Sequence, residues 1–279
     1  MSGGNRRGKR CCGPVAGVSF STVASGGWEY FDSPGPLAIA HRGGAAEAPE
    51  NSWAAFERAV GLGFTHMETD VRLSRDGVVV VMHDPTVERA TGRPGRVSEM
   101  TWAQLQRLRL ADGRPVPRLE EVLEAWPDVR WNIDVKHEAA IGPVVDLLRD
   151  HGRGRRTLVA SFSTRRTAKV RSGLGPEVAT GAGRVEVALL LAARWLPFVR
   201  PEPRASAVQV PVKRKGVPIV DRRFVGTCHH AGVAVHVWTI NQAAEMTRLL
   251  DLGVDGIMTD RPSLLKEVLC RRGEWFGGA

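Results

Sequence analysis

The chain has 279 residues, of which 43% are hydrophobic and 25% are charged, a composition typical of a globular protein with a sizeable core. Its formal net charge of +9 favours anionic partners, namely phosphate esters, nucleic acid or an anionic membrane surface. Its four cysteines have the spacing of neither a disulfide framework nor a zinc site, and no apolar run is long enough to cross a bilayer. We therefore expect a cytoplasmic protein without a transmembrane helix.

Residues 1–36 are predicted to form a flexible basic extension, because they are rich in Gly, Ser and Pro and show no hydrophobic periodicity. Basic residues before Cys11 loosely imitate a signal peptide, but residues 11–20 contain too many Gly, Ser and Cys residues for its apolar core. The remaining residues, 37–279, are predicted to form a single domain.

From Leu37 onward, strand-like and helix-like segments alternate, beginning with a strand over 37–41, a helix over 53–62 and a strand over 65–71. The next apolar run, 78–82, follows after too few residues for a parallel crossover, so it predicts an antiparallel hairpin. Residues 84–117 contain four prolines and one short helical pattern, which indicates a loop excursion over the strand ends.

Eight candidate parallel strands remain when the return arm of the hairpin is left out. Those after the excursion are predicted over residues 129–135, 157–160, 177–180, 205–210, 233–239 and 256–259, with helices between them. This count predicts an α/β fold of the (β/α)8 TIM-barrel type, with the hairpin and a short loop insertion at the C-terminal face of the barrel. A doubly wound sheet with extra strands is the alternative. The chain has no GxGxxG motif after a strand and no P-loop, which argues against nucleotide binding.

Four predicted strand ends carry groups that a barrel would bring to one face. Strand side chains alternate, so residues two apart share a face, which in a barrel is the interior. Each pair taken singly is more often a surface or packing feature, but their joint occurrence at successive strand ends favours a functional site. The pairs are His41 with Arg42, Glu68 with Asp70, His83 with Asp84, and Asp134 with Lys136.

The types of these groups predict a chemistry. Inward carboxylates at Glu68, Asp70 and Asp134 repel one another unless a cation lies among them, and oxygen donors without cysteine select a hard divalent ion, Mg²⁺ or Ca²⁺. The cations Arg42 and Lys136 call for an anion, and a phosphate fits. Two histidines beside a metal and a phosphate suit general acid–base catalysis. The set as a whole predicts metal-assisted phosphodiester cleavage.

Four segments resemble the glycerophosphodiester phosphodiesterase family. They are AHRGGAAEAPENSWAAF, HMETDVRLSRDGVVVVMHDPTVERAT, WNIDVK and VHVWTINQAAEMTRLLDLGVDGIMTDRP. The resemblance covers residues 37–269, and the order HRG, PEN, ExD and HD is specific to the family. It implies a TIM barrel of the phospholipase C-like phosphodiesterase type, a divalent metal, and hydrolysis of glycerophosphodiesters to sn-glycerol 3-phosphate and an alcohol.

The resemblance also implies roles for single residues. His41 and His83 would be the acid–base pair, and Arg42 would contact the phosphate. Glu68 and Asp70 would be metal ligands. The nucleophile stays open at this point, as water or a hydroxyl of the substrate's glycerol.

The third implied metal ligand differs from the family pattern. The family usually has a glutamate in a pattern that ends in lysine, and here the shorter Asp134 precedes Lys136 by two residues. Glu50 would orient Arg42 or bind the glycerol of the substrate. Trp238 could offer an apolar platform for the glycerol carbons, with a packing aromatic as the equal alternative.

Two alternatives remain beside hydrolysis of small glycerophosphodiesters. A lysophospholipase D-like activity on membrane lipids is favoured if the segment 187–198 exposes an apolar stripe beside the site. A non-catalytic barrel that binds phosphorylated ligands is disfavoured, because a binding module does not need two acid–base groups. A single tyrosine and the lack of basic and aromatic interleaving argue against nucleic acid. Residues 153–171, with seven basic and no acidic residues, leave weak contact with an anionic membrane surface open.

Overall fold

A computed structural model describes residues 27–196 and 198–278. Its strands are β1 (Leu37–Ala40), β2 (His66–Leu73), β3 (Val79–Val81), β4 (Arg130–Val135), β5 (Thr157–Ala160), β6 (Ala179–Thr180), β7 (Ala207–Pro211), β8 (Lys213–Arg214), β9 (Val217–Pro218), β10 (Ala234–Trp238) and β11 (Gly256–Thr259). Its helices are α1 (Trp53–Gly61), α2 (Glu88–Thr91), α3 (Trp102–Leu105), α4 (Leu119–Ala125), α5 (Ile141–Asp150), α6 (Thr164–Leu174), α7 (Arg184–Ala193), α8 (Arg222–His230), α9 (Ala243–Asp251) and α10 (Pro262–Arg272). None of these helices combines the length and the hydropathy that crossing a bilayer would need.

Eight parallel strands form a nearly closed barrel, in the order β6-β5-β4-β2-β1-β11-β10-β7. One parallel bridge, between Gly181 and Ala207, links the two end strands β6 and β7. The predicted TIM barrel is therefore confirmed, and the C-terminal ends of its strands converge on one face.

The antiparallel hairpin is also confirmed, because β3 pairs with β2 from Val71↔Val81 to Leu73↔Val79. The excursion that follows has a small core of its own rather than being a bare loop. Val80, Val87, Leu105 and Val116 are buried together there, so residues 84–117 pack as a cap on the hairpin.

Helix α1 shows how local sequence sets an element next to the site. The Ser52 hydroxyl accepts a hydrogen bond from the amide of Ala55 (3.2 Å), which caps the start of the helix. Phe56 and Ala59 are buried on one face, and Gly63 takes a left-handed backbone (φ +90°) just after the helix ends.

The predicted flexible extension is wrong for its last residues. Tyr30 is fully buried, and its ring lies 5.2 Å from that of His66 at the N-terminal end of the barrel. Trp28 donates its indole N–H to the carbonyl of Pro176, and Arg130 donates to the carbonyl of Glu29 (2.7 Å). The domain thus begins before residue 37, because a short aromatic cluster covers the N-terminal end of the barrel, which we call the barrel floor. This cluster shows no hydrophobic periodicity in the sequence, so the pattern did not predict it. Residues 1–26 lie outside the described residues.

Candidate active site

A tight turn after β1 presents His41 and Arg42. Arg42 has a left-handed backbone (φ +51°), and so have Gly43 (φ +79°) and Gly44 (φ +107°). A Cβ on Gly43 would lie 2.7 Å from the Cβ of Ala55, so the turn packs directly against α1. This close approach requires glycine and fixes the direction of the two preceding side chains.

His41 is oriented through its Nδ1 atom. The Nδ1–H donates to the Oδ1 of Asp260 (2.7 Å), and the other carboxylate oxygen accepts from the amide of Asn241 (2.9 Å). A carboxylate only accepts, so the proton is on Nδ1 and Nε2 is left for chemistry. Burial lowers the pKa of His41, but the carboxylates of Glu68 and Asp260 outweigh burial and raise this pKa above its usual value.

His83, at the end of the hairpin, is oriented in the same way. Its Nδ1 lies 2.7 Å from the Oδ1 of Asp84, and Arg89 donates to the other oxygen of that carboxylate (2.5 Å). Arg72 donates two hydrogen bonds to the carbonyl of His83 (2.9 and 2.7 Å), which fixes the backbone. Two histidines with carboxylate-bound Nδ1 atoms therefore face the same cavity.

Glu68 and Asp70 are buried on the inner face of β2. The backbone amide of Arg42 donates to the Oε2 of Glu68 (2.9 Å). Burial, with the charge of Asp70 as the next cause, raises the pKa of Glu68 to about 7. Burial also acts to raise the pKa of Asp70, but the cations of Lys136 and Arg42 outweigh it and lower this pKa below its usual value.

Lys136 lies between two carboxylates. Its Nζ is 2.6 Å from Asp134 and 2.8 Å from Asp70. Burial raises the pKa of Asp134, and these two carboxylates raise the pKa of Lys136 in spite of its burial. The carboxylates of Glu68, Asp70 and Asp134 thus face only two cations, Lys136 and Arg42, and Arg42 is shared with Glu50.

Carboxylate oxygen donors fit a hard divalent ion. The donors are Glu68, Asp70 and Asp134. Elsewhere in the described chain, the carboxylates of Glu120 and Glu124 and the ring of His151 place ligand atoms within 4.8 Å of one another, outside the cavity. Glu120 also pairs there with Arg118, as exposed surface charges do.

The cavity has a volume of about 140 Å³, and its wall is charged on one side and apolar on the other. On the apolar side the rings of Phe162 and Trp238 lie 6.1 Å apart, edge to face. The lining residues are His41, Arg42, Glu68, Asp70, His83, Asn132, Asp134, Lys136, Ala160, Ser161, Phe162, Gly181, Ala182, Gln209, Trp238 and Met258. Every sequence-predicted site residue except Glu50 is therefore brought to one cavity.

Glu50 lies beside the cavity instead of lining it. Its carboxylate accepts from Arg42 (3.0 Å) and from Arg89 (2.6 Å). This geometry supports the first of its two predicted roles, the orientation of Arg42, and does not bring it to the substrate.

Sequence reasoning missed the residues that hold the predicted ones. Asn51 is 3% exposed, accepts from Thr69 (2.8 Å) and donates to Asp70 (3.0 Å). Asp84 was named in the sequence beside His83 but was given no role, and Asp260, which directly follows β11, was not named at all. Nothing in the sequence marked Phe162 as a cavity residue except its position after the strand β5.

Comparison with known proteins agrees with this geometry. The model of the glycerophosphoryl diester phosphodiesterase family matches residues 41–264. The chain is 40% identical over 254 residues to probable glycerophosphodiester phosphodiesterase 2 of Mycobacterium tuberculosis, and the alignment covers 89% of this chain and 96% of that relative. It is 31% identical over 269 residues to lysophospholipase D GDPD1 of Rattus norvegicus, with 83% of this chain and 85% of the relative covered.

Solved structures give the same result. A glycerophosphodiester phosphodiesterase from Agrobacterium tumefaciens has a TM-score of 0.68 and 28% identity, over 82% of this chain and 98% of that one. A phosphodiesterase from Oleispira antarctica, in complex with the product sn-glycerol-3-phosphate, has a TM-score of 0.71 and 25% identity, over 84% of this chain and 96% of that one. The chain belongs to the glycerophosphoryl diester phosphodiesterase family and is a phosphodiesterase of that family.

Proposed function

We propose that this protein hydrolyses glycerophosphodiesters to sn-glycerol 3-phosphate and an alcohol, in a metal-dependent reaction with His41 and His83 as the acid–base pair. The observation that carries the proposal is that both histidines are bound by a carboxylate at Nδ1 and line one cavity with Arg42 and Lys136. The product in the Oleispira antarctica structure supports the choice of substrate.

Each part of the cavity has a task in this mechanism. The cations of Arg42 and Lys136 bind the phosphoryl oxygens. The rings of Phe162 and Trp238 offer an apolar wall to the carbon atoms of the substrate. The charged and apolar sides together orient the phosphodiester in one direction.

Two proton transfers complete the reaction. The Nε2 of one histidine accepts a proton from the attacking water as its oxygen bonds to phosphorus. The Nε2 of the other gives a proton to the alkoxide oxygen as the P–O bond to the alcohol breaks. Asp260 and Asp84 keep the two rings in place and stabilise the imidazolium that forms.

Glu68, Asp70 and Asp134 would hold the divalent ion, Mg²⁺ or Ca²⁺. When bound, such an ion supplies charge that polarises a phosphoryl oxygen. The lining supports this assignment, because three carboxylates meet there with only two cations, and burial raises the pKa of Glu68 and of Asp134.

The acid–base assignment is tested with His41→Ala and His83→Ala. Each should lower kcat on glycerophosphocholine or glycerophosphoethanolamine by about 10³-fold, because it removes one proton transfer, while circular dichroism shows an intact fold. His229→Ala is the matched control, since His229 also pairs with a carboxylate, Asp255 (2.8 Å), but outside the cavity. A folded His83→Ala variant with full activity would refute the assignment.

The metal assignment has a test that does not depend on activity. Mg²⁺ or Ca²⁺ added after EDTA treatment should raise the melting temperature, because an ion that binds only the folded state stabilises it. Glu68→Gln should abolish this shift, and Glu120→Gln should keep it. An unchanged shift in the Glu68 variant would contradict the assignment of the ligands.

A lysophospholipid substrate is the second candidate. Phe162, in the cavity wall, is 50% exposed, and α7 exposes Val185 and Leu189 on one face. The relative from Rattus norvegicus is named a lysophospholipase D. Alcohol release from lysophosphatidylcholine, compared with glycerophosphocholine, decides between the two substrates. The cytoplasmic location predicted from the cysteine usage stays a prediction.

A further inference from the structure

The rim of the cavity has two halves of different chemical character. On one half, the loops after β5, β6 and β7 follow three neighbouring strands of the barrel. These segments, residues 161–166, 181–185 and 212–220, include the first residues of α6 and α7 and the hairpin of β8 and β9, and they contain six basic residues and no acidic ones. We call them the basic rim.

The charges of the basic rim are poorly compensated. Arg214 and Lys215 have no ion pair with any described residue, and Arg165 reaches Glu138 only at 3.5 Å while remaining 75% exposed. On the opposite half of the mouth, Arg89 is held between two carboxylates. Residues 84–117 on that half contain four acidic residues beside six basic ones, whereas the basic rim contains no acidic residue.

Each segment of the basic rim also exposes one large apolar side chain. Phe162 is 50% exposed, Val185 60% and Val217 62%. A single exposed apolar side chain on a protein surface is ordinary. Three of them on adjacent loops, interspersed with cations, are typical of a surface that enters the headgroup layer of an anionic bilayer.

The hairpin of β8 and β9 makes the basic rim project. All of residues 213–218 are exposed, and the turn at Lys215 (φ +49°) and Gly216 (φ +81°) has the left-handed backbone of a tight two-residue hairpin turn. Nothing lies within 4 Å of a Cβ placed on Gly216, so the tip stands free of the barrel.

The basic rim is continuous with the cavity. Phe162 belongs to both, and its ring contacts Trp238 inside the mouth. The guanidinium of Arg184 lies over the Phe162 ring, 5.9 Å from its centre. A surface that touches the rim therefore faces the opening of the cavity.

We infer that the basic rim is a docking surface for an anionic lipid bilayer, which brings the mouth of the cavity to the headgroup layer. Its uncompensated positive charge complements anionic lipids, whereas a second copy of a chain of net charge +9 would be repelled. This inference concerns membrane binding and does not depend on the proposed catalytic mechanism.

The test is co-sedimentation of the full chain with vesicles of phosphatidylcholine and phosphatidylglycerol. Replacement of Lys213, Arg214 and Lys215 together by Ser should weaken binding by about 100-fold at low salt, because each cation near an anionic surface contributes about fivefold. Val217→Asp should weaken it by about 10-fold through loss of apolar insertion.

The matched control replaces Arg93, Arg96 and Arg107 by Ser, with the same change in net charge on the other half of the mouth. These three are exposed and belong to the excursion over residues 84–117. Binding should stay within about twofold of that of the unaltered chain, because these residues do not belong to the docking surface. Turnover of glycerophosphocholine in solution should be unchanged in both triple variants, since none of these residues lines the cavity.

Three outcomes would overturn the inference. One is vesicle binding that the Lys213, Arg214 and Lys215 replacement leaves intact. Another is an equal loss in both triple variants, which would mean that net charge alone drives binding. The third is a dimer that Val217→Asp dissociates, without vesicle binding, which would assign the rim to a second copy of the chain.

Discussion

The two cavity histidines share one kind of partner but differ in what holds that partner. Asp84 follows its histidine directly and is held by Arg89, whereas Asp260 is 219 residues away from His41 and is held by Asn241. His41 follows the first strand, β1, and Asp260 follows the last strand, β11. The orientation of His41 therefore depends on the pairing of these two strands, which closes the barrel.

Asp260→Asn should expose this dependence. Asp260 accepts from His41 with one oxygen and from Asn241 with the other, but an amide has only one accepting end. The amide NH₂ of the new asparagine would then face either the Nδ1–H of His41 or the amide NH₂ of Asn241, and two donors cannot form a hydrogen bond. We expect kcat to fall by about 10²-fold and KM to change by less than about threefold, since the carboxylate positions His41 and does not bind substrate.

Asp255→Asn is the control for that measurement. Asp255 also accepts from a histidine ring, that of His229, outside the cavity. Steady-state kinetics of this variant should match those of the unaltered protein. A loss of kcat in both variants, or a loss confined to KM in Asp260→Asn, would contradict the positioning role.

The sequence allowed prediction of the titratable and charged groups at the strand ends, because these residue types are common in catalytic sites. His41, Asp70 and Lys136 could be predicted to meet because parity and strand order bring them to one face. The roles of Asn51 and Asp260 could not be assigned in advance, because each depends on a contact with a segment that is not adjacent in the chain.

At the scale of elements, the turn after β1 couples the site to the packing of the barrel. Gly43 lies against α1, and Gly44 lies against Pro262 at the start of α10, where an added Cβ would come within 2.7 Å of the ring. A side chain at either position would displace His41 and Arg42 together.

Gly43→Ala should lower both stability and activity. The positive φ costs about 1 kcal/mol with any Cβ. The contact at 2.7 Å with Ala55 adds overpacking of about 2 kcal/mol. Urea unfolding should therefore show a loss of about 3 kcal/mol in the free energy of unfolding, with kcat strongly reduced because the turn moves.

Gly77→Ala separates the two costs. Gly77 also has a positive φ (+88°), but nothing lies within 4 Å of an added Cβ. This variant should lose about 1 kcal/mol of unfolding free energy and keep its kcat. Equal losses in the two variants would mean that the contact with α1 has no energetic role.

The hairpin of β2 and β3 was predictable because a short link between two apolar runs permits only an antiparallel pair. The small core of the excursion was not, since Val80, Leu105 and Val116 come from three segments that show no common period. The predicted strand over 177–180 is shorter in the structure, because Gly175 and Pro176 begin a 3-10 turn that delays its start until Ala179.

At the scale of the whole molecule, the barrel has a charged end, where the cavity opens, and an apolar end, which residues 28–31 cover. Tyr30 packs there against the strand starts, together with Leu37, Ile39 and Leu158. Residues 28–31 show no hydrophobic periodicity, so the domain start predicted at residue 37 came too late. Two buried histidines, His66 and His236, line this floor and are uncharged.

The buried floor predicts how stability depends on pH. Burial lowers the pKa of His236 from its usual 6.5 to about 4, so between these values the unfolded chain binds a proton that the folded protein does not. The stabilisation that comes from keeping His236 uncharged is fully present above pH 6.5 and is lost as the pH falls toward 4. This group alone should contribute a loss of about 2 kcal/mol between about pH 7 and pH 4.5. The pKa of His66, which burial lowers to about 3, adds a loss of the same sign.

The contribution of His236 is measured by urea unfolding at both pH values. His236→Gln keeps a partner for Gln209, whose amide lies 3.3 Å from the ring, but does not titrate. Its unfolding free energy should fall by about 2 kcal/mol less than that of the unaltered protein over this range, whatever its stability at neutral pH. His230→Gln, at the exposed end of α8, should show the same pH dependence as the unaltered protein. If the His236 variant instead kept the full acid sensitivity, the ring would have to be protonated in the folded barrel, and the floor would hold a charge that no described carboxylate contacts there.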